Sequence, residues 1–291
     1  MVTGFRFGIN MAFPGSRSEW VDKVRRAEAL GYDVVAVADH LGLSAPFPSL
    51  SLAAEVTERI TLGTLVLNTS FYNPTLLARD VAALDRFSGG RLELGLGTGY
   101  TKEEFDATGI PMPGPGARVA HVEQTVLTMR KLYADANYQP APTRPEGPRV
   151  LIGGSGNRLL RMATQHADVI ALPGAVGLEN GVVDVMTADE VGERSDYLRR
   201  LLGERSDQVE LSLHIYAVAG PAERDSVGDM ARQLMPGFTD ERIRQSPCIL
   251  VGTPQQMADS LREYRDRYGI TYFTTIEPFM DTFAPVIEIL K

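Results

Sequence analysis

The chain is short of several things, and each shortage removes a class of protein. It has one cysteine, so neither an intramolecular disulfide nor a cysteine-rich metal site can be built from it. That residue, Cys248, lies in the apolar run SPCILVG, where a buried and inert thiol is expected. Of the four histidines, His121, His166 and His214 lack metal-ligand spacing with one another, and no metal site is expected. Basic residues are outnumbered, 29 Lys and Arg against 37 Asp and Glu, for a net charge of -8. No excess is left to neutralise a nucleic-acid backbone, which argues against that partner, although a local basic pocket can still hold a phosphorylated small molecule. No apolar run approaches the roughly 18 residues of a membrane helix. The amino-terminal MVTGFRFGIN lacks the charged and apolar regions of a signal peptide, so a cytoplasmic protein free of the membrane is expected. A G-x-S-x-G elbow, a P-loop and an H-E-x-x-H pair are also missing, which leaves serine hydrolases, nucleotide triphosphatases and zincins without support.

What is present is an ordinary globular composition, 44% hydrophobic and 23% charged, and a regular alternation of strand and helix signals. The clearest stretch runs from Thr61 to Gly109. An apolar run leads to a helix opened by Asn73-Pro74 and stopped by Gly89-Gly90, then a second apolar run ends in GLGTGY. Strand, helix and strand in that order require a parallel sheet. In this helix Leu77, Val81 and Leu84 are expected inward, with Arg79, Asp80, Asp85 and Arg86 outward.

Further strands are read at Phe5 to Asn10, Tyr32 to Ala38, Arg149 to Ile152, Asp168 to Leu172, Val209 to Val218 and Thr271 to Ile276. Ser18 is the expected cap of the first helix, the second helix is expected over about Pro48 to Glu58, and Pro173 to Thr187 reads as a loop. Eight alternations with no run of consecutive strands favour a single (β/α)8 TIM barrel over residues 1–291, an α/β fold. Excursions are expected at about 100–117, 134–148 and 221–247.

In such barrels ligands bind at the carboxyl ends of the strands. Asp39-His40 stands directly after the second strand, where a histidine suits proton transfer. After the fifth strand, Gly153-Gly154-Ser155-Gly156 forms a strand-to-helix turn rich in amides, a seat for a phosphate with the Ser155 hydroxyl as an added donor. The Gly95-to-Tyr100 segment only superficially matches a dinucleotide fingerprint, because that fingerprint opens a helix directly. Its small residues read instead as room for a flat ring against the backbone. Glu103 and Glu104 are candidate acid–base groups, but as a pair opening a helical turn they read rather as solvated partners of the helix dipole.

Taken together these residues resemble the luciferase-like monooxygenase superfamily. The likeness rests on ITLGTLVLN, then NPTLLARDVAALDRFSGGRLELGLGTGYTKEEFDATG, supported by ADH at 38–40, VLIGGSG at 150–156, HAD at 166–168 and LVGTP followed by YFTTIEP. Within it the chain looks most like the compact branch that uses the deazaflavin coenzyme F420 rather than FMN. The resemblance implies His40, with Asp39 beside it, as the catalytic pair near the deazaflavin ring. It implies a non-prolyl cis peptide at Leu65-Val66 behind the ring, ring contacts from Thr98 and Gly99, and phosphate contacts from Gly154, Ser155 and Gly156. It also implies a small-molecule substrate and allows a homodimer. In the branch's sugar-phosphate enzyme a tryptophan follows the DH pair and a glutamate follows the fourth strand. Here LGLSAPFPS and Tyr100 take those places, so glucose 6-phosphate is not expected, and Phe47 and Tyr100 suggest a more apolar pocket. An F420-dependent reductase of an unsaturated or imine intermediate of secondary metabolism is expected. An FMN-dependent monooxygenase and a non-catalytic flavin-binding protein are the alternatives.

Overall fold

The computed structural model describes residues 4–13, 15–177 and 183–291. Its eight barrel strands are β1 (Arg6–Met11), β2 (Val34–Val37), β3 (Thr61–Thr64, resumed at Leu67–Asn68), β4 (Leu92–Gly97), β5 (Arg149–Gly153), β6 (Val169–Leu172), β7 (Glu210–His214) and β8 (Ile270–Ile276). All pair in parallel with their neighbours in sequence. Pairing of β8 with β1 and of β3 with β4 closes the ring, giving the expected TIM barrel. Around it run α1 (Arg17–Ala29), α2 (Pro46–Val56), α3 (Pro74–Phe87), α4 (Lys102–Thr108), α5 (Pro115–Tyr133), α6 (Asn157–His166), α7 (Ala188–Leu202), α8 (Val227–Leu234), α9 (Asp240–Gln245), α10 (Pro254–Tyr268) and α11 (Met280–Leu290). Among the described residues no helix is long and apolar enough to cross a membrane.

Strand alternation divides the core in two. Side chains such as Phe7, Ile9, Val35, Leu62, Leu94 and Phe273 point outward and pack under the helices. Val34, Ala36, Leu151, Val169, Ala171 and Tyr272 point inward and fill the barrel, with Leu65 and Val66 half-buried on top of them. The amino-terminal mouth below is closed by charge. Arg6 bonds Glu93 and Glu210 at 2.7 Å each, Arg149 reaches Glu210 at 3.3 Å and Glu93 at 3.8 Å, and the Arg6 guanidinium stacks on Tyr272 4.4 Å from its ring centroid. Burial works against the charge of Arg6, but Glu93, Tyr272 and Glu210 outweigh it and hold its pKa above the ordinary value.

Local signals set most element ends. Asn73 caps α3 through the amides of Thr75 and Leu76, with Pro74 at the first helical position. Gly89 and Gly90 leave that helix with positive φ. Several expectations are corrected. Ser16, not Ser18, caps α1: its hydroxyl accepts from Glu19 N at 3.3 Å while Glu19 accepts from Ser16 N at 2.7 Å, a reciprocal box that Ser18 cannot form. The second helix begins two residues early, at Pro46, since proline is preorganised for a first turn. Asp85 is fully buried, not outward; its carboxylate accepts from Thr143 N at 2.7 Å and ties down the 134–148 excursion.

The seventh strand is not continuous to Val218. Tyr216 N donates to Cys248 O at 2.8 Å, which carries the chain into a separate parallel pair, Ala217–Ala219 with Ile249–Val251. The expected loop over 173–187 contains an antiparallel ribbon, Ala175–Gly177 with Val183–Val185; residues 178–182 of it lie outside the described residues. The 100–117 excursion holds α4 and the first turn of α5, and the 221–247 excursion holds α8 and α9. Cys248 is buried as expected, and burial pushes its thiol up to about 12.

Candidate active site at the carboxyl-terminal mouth

The mouth is organised around the break in β3. The Leu65-Val66 peptide is cis, as the resemblance implied, and here the strand leaves its ladder with β4. Side chains patch the gap. The Thr64 hydroxyl accepts from Gly95 N and donates to Gly95 O, both at 2.8 Å, and Thr69 donates to Gly97 O at 2.9 Å. The two segments of β3 thus stay fastened to β4 although the backbone between them makes no ladder with it, the Leu65 amide donating instead to Val37 O of β2 at 2.9 Å.

This break also explains the glycines of β4, and corrects their expected purpose. A Cβ on Gly95 would stand 1.8 Å from Thr64 O, and one on Gly97 would stand 2.4 Å from the Val66 side chain. The glycines make room for the displaced strand of this same chain, before any ligand is considered. A Cβ on Gly153 of β5 would likewise meet Val66 at 3.0 Å. Val66 therefore sits in a hollow of glycines, and Leu65-Val66 becomes a raised wall over the barrel interior. Gly99, at φ +67°, turns the chain over Asn68, whose side chain leaves no space for a Cβ there.

Asp39 and His40 follow β2 but turn to different partners. Asp39 accepts from Asn68 N at 3.0 Å and from the Tyr72 hydroxyl, and desolvation raises its pKa against the pull of those bonds. It fastens β2 to the resumed part of β3; its carboxylate is engaged away from the imidazole. His40 pairs instead with Glu104 of α4: Nδ1 lies 2.8 Å from Glu104 Oε1, and the Leu41 amide donates to the same oxygen at 3.1 Å. Glu104 is only 9% exposed. Its expected place in solvent is corrected: Phe105, fully buried against Phe71 with ring centroids 5.0 Å apart, turns the helix so that the preceding side chain points into the mouth.

On the other edge of His40 the Tyr100 hydroxyl lies 3.4 Å from Nε2, with the rings edge to face at 5.6 Å. Tyr100 is 67% exposed, while desolvation and the charge of Glu104 raise the pKa of its phenol, which is therefore a donor at neutral pH. Phe47 is half-buried in the first turn of α2 with its ring against Tyr72. Exposed Phe13 and Leu41 continue an apolar rim. Thr98 is half-buried directly after β4.

The turn after β5 divides its amides. Gly154, at φ +151° and packed so closely on Leu159 that a Cβ would stand 2.3 Å from it, gives its N–H to Ala171 O at 3.0 Å. The amides of Ser155 and Gly156 and the Ser155 hydroxyl have no partner among the described residues. They open α6, and Arg158 in its first turn lies over Gly116 of α5. Amides at a helix start beside an arginine can hold an anion. In β1 and around the resumed part of β3, three buried polar atoms have no partner among the described residues: Asn10 Oδ1, Asn68 Nδ2 and Ser70 Oγ. Among the described residues no cluster of His, Cys, Asp and Glu could hold a metal ion.

The sequence alone reads Glu104 as a solvated dipole partner and does not single out Tyr72, Asn10, or Asn68 as a bonding partner of Asp39. A signal for Glu104 existed in its apolar neighbour Phe105, which had to face inward. The site can therefore bind an anion at one end, seat a flat group against Leu65-Val66, and move a proton at His40 Nε2.

The model of the luciferase-like monooxygenase family matches residues 2–183. The chain is 28% identical to an F420-dependent glucose-6-phosphate dehydrogenase of Intrasporangium calvum, over 91% of this chain and 92% of that one. Among solved structures it is similar to monooxygenase RslO1 of Streptomyces bottropensis, with a TM-score of 0.76, 20% identity and coverage of 97% and 96% of the two chains. It is similar also to an F420-dependent secondary alcohol dehydrogenase in complex with an F420-acetone adduct, with a TM-score of 0.76, 15% identity and coverage of 99% and 98%.

Proposed function

The chain belongs to the luciferase-like monooxygenase family, and from that premise we propose that it is an F420-dependent oxidoreductase acting on a small organic substrate. The observation that carries the reading is His40, which follows β2 next to the strand that carries the cis Leu65-Val66 peptide, tied through Nδ1 to Glu104 and with Nε2 facing the Tyr100 hydroxyl. The residues present fit a deazaflavin. Asn10, Asn68 and Ser70 offer unpartnered polar atoms, as a heterocycle rich in carbonyl and N–H groups requires, and the free amides of Ser155 and Gly156 with the Ser155 hydroxyl suit its phosphate. The relatedness to an F420-dependent enzyme over nearly the whole chain supports the same cofactor.

When bound, the coenzyme supplies or accepts a hydride at C5 of its ring. The protein's part is to hold the ring against Leu65, Val66, Thr98 and Gly99, to exclude water, and to move the accompanying proton at His40 Nε2. In the reducing direction that proton leaves Nε2 of the imidazolium for the substrate as carbon receives hydride; in the oxidising direction neutral Nε2 takes it from the substrate. For the substrate we propose an unsaturated or imine intermediate of secondary metabolism. The rim of Phe13, Leu41 and Tyr100 favours an apolar molecule.

Titrating the purified protein with F420 and, separately, with FMN tests the cofactor. Clearly tighter binding of F420 is expected; a clear preference for FMN would favour the monooxygenase chemistry of relatives such as RslO1 and overturn the proposal.

A further inference from the structure

The carboxylate bonded to the His40 ring is not that of its neighbour in sequence. Asp39, one position away, spends its carboxylate on Asn68 N and Tyr72. Glu104, 64 positions away, places Oε1 2.8 Å from His40 Nδ1 and 3.1 Å from Leu41 N. A backbone N–H can only donate, so Oε1 is an acceptor in that bond. An ionised carboxylate offers only acceptor lone pairs, and one oxygen takes both donors. The proton of the neutral imidazole is then on Nδ1, an assignment made from the bonding pattern, and Nε2 carries the free lone pair facing the Tyr100 hydroxyl at 3.4 Å.

The carboxylate is held firmly enough to impose this. Phe105 is fully buried beside it, Thr108 Oγ1 donates to the carbonyls of both Glu104 and Phe105 at 3.0 Å, and Gly109 closes the helix at φ +69°. The Leu41 bond fixes the oxygen from the other side. The short helix α4 thus delivers one carboxylate to one imidazole nitrogen.

We propose that Glu104 is a positioning residue that fixes His40 as its Nδ1–H tautomer, leaving Nε2 as the one ring nitrogen that exchanges a proton at the site, with the Tyr100 hydroxyl as its resting partner. The proposal rests on the reading of His40 as the proton-transfer group. Glu104 never touches the reacting atoms. It orients the ring and supplies the negative charge that an imidazolium formed at Nε2 needs on its far side. Tyr100, largely exposed, donates to Nε2 until a ligand takes its place.

The test is the nitrogen spectrum of the imidazole. Long-range 1H–15N correlation on 15N-labelled protein has only four histidines to resolve, and H40A assigns the one of interest. In the parent at alkaline pH, Nδ1 is expected protonated and Nε2 bare. In the isosteric variant Glu104→Gln, whose amide can donate as well as accept, a mixture with the Nε2–H form is expected, with the unfolding midpoint confirming a folded chain. Saturating F420 is expected to move the Nε2 signal of the parent and to leave Nδ1 nearly unmoved. The same tautomer in parent and Glu104→Gln would overturn the proposal, as would a ligand-induced shift confined to Nδ1. If F420 neither binds nor shifts either nitrogen while the tautomer still depends on Glu104, the proposed function fails and the Glu104–His40 coupling stands.

Discussion

At the amino-terminal mouth of the barrel, charge is paired with charge. Arg6 and Arg149 share Glu93 and Glu210, and side chains close the loops around them. Glu28 accepts three successive amides, those of Glu58, Arg59 and Ile60, while Arg91 donates to the carbonyls of Ala54, Thr57, Ile60 and Ser88. The buried atoms left over there, Glu210 Oε1 and Asp85 Oδ1, belong to carboxylates whose other oxygen is bonded. At the carboxyl-terminal mouth the strand ladder breaks at Leu65-Val66, amides of the β5–α6 turn stand free, and the amide groups of Asn10 and Asn68 and the hydroxyl of Ser70 keep unpartnered atoms. At one mouth every charged side chain named here is bonded within the chain; at the other, polar atoms of Asn10, Asn68 and Ser70 are left without a protein partner among the described residues. In a barrel of parallel strands this is the division between a stability face and a functional face.

The comparison breaks if changes at the two mouths have the same consequences. The largest effect is expected below. Arg6→Met leaves two buried carboxylates with only the more distant Arg149, and should cost about 3–5 kcal/mol in denaturant unfolding, with F420 affinity little changed in the protein that remains folded. Loss of F420 affinity without loss of stability would reverse the assignment of the mouths. Next, His40→Ala should cut turnover roughly 10²-fold or more while cofactor affinity and unfolding midpoint stay near the parent's. Equal hydride-transfer rates in variant and parent would remove His40 from the chemistry.

His214, at the end of β7, bonds Thr274 at 2.8 Å, and burial lowers its pKa from 6.5 to about 4. Between those values the unfolded chain binds the proton and the folded chain does not. The associated stability is therefore present above pH about 6.5 and is lost as the pH falls toward about 4. Replacing His214 with Gln should reduce the acid-induced loss by on the order of 2–3 kcal/mol between pH 7 and pH 4. An unchanged pH dependence of the unfolding free energy would show that His214 is not buried neutral. The smallest effect is at the phosphate turn: Ser155→Ala should weaken F420 by about 3–10-fold, the worth of one hydroxyl bond, with no change in unfolding. A larger loss of stability than of affinity would make the turn a structural element only.

The barrel itself was legible because its signals are local. Asn73-Pro74 and Gly89-Gly90 mark the ends of α3 by backbone chemistry that needs no partner from elsewhere, and the apolar strand runs need only their neighbours. Legibility failed wherever a residue's role depended on a contact distant in sequence. Asp85 reads as a solvent-facing position on the helix until Thr143, 58 residues later, comes to rest on it. Gly95 and Gly97 read as space for a ligand, yet the nearest atoms to that space are Thr64 O and Val66. Asp39 and His40 read as a pair because they are adjacent, but consecutive residues leaving a strand point to different sides. The partner of the imidazole, Glu104, is supplied by another βα loop.

Hydrogen–deuterium exchange with and without saturating F420 tests the contrast between the mouths most directly, since loops at the two ends yield separate peptides. Protection is expected in the segments around 38–46, 98–102 and 153–158, which lead away from the carboxyl ends of β2, β4 and β5, with no change around 30–33, 57–60, 88–91 and 145–148. Protection confined to the second set, or none anywhere with F420 bound, would contradict the placing of the cofactor at the carboxyl-terminal mouth.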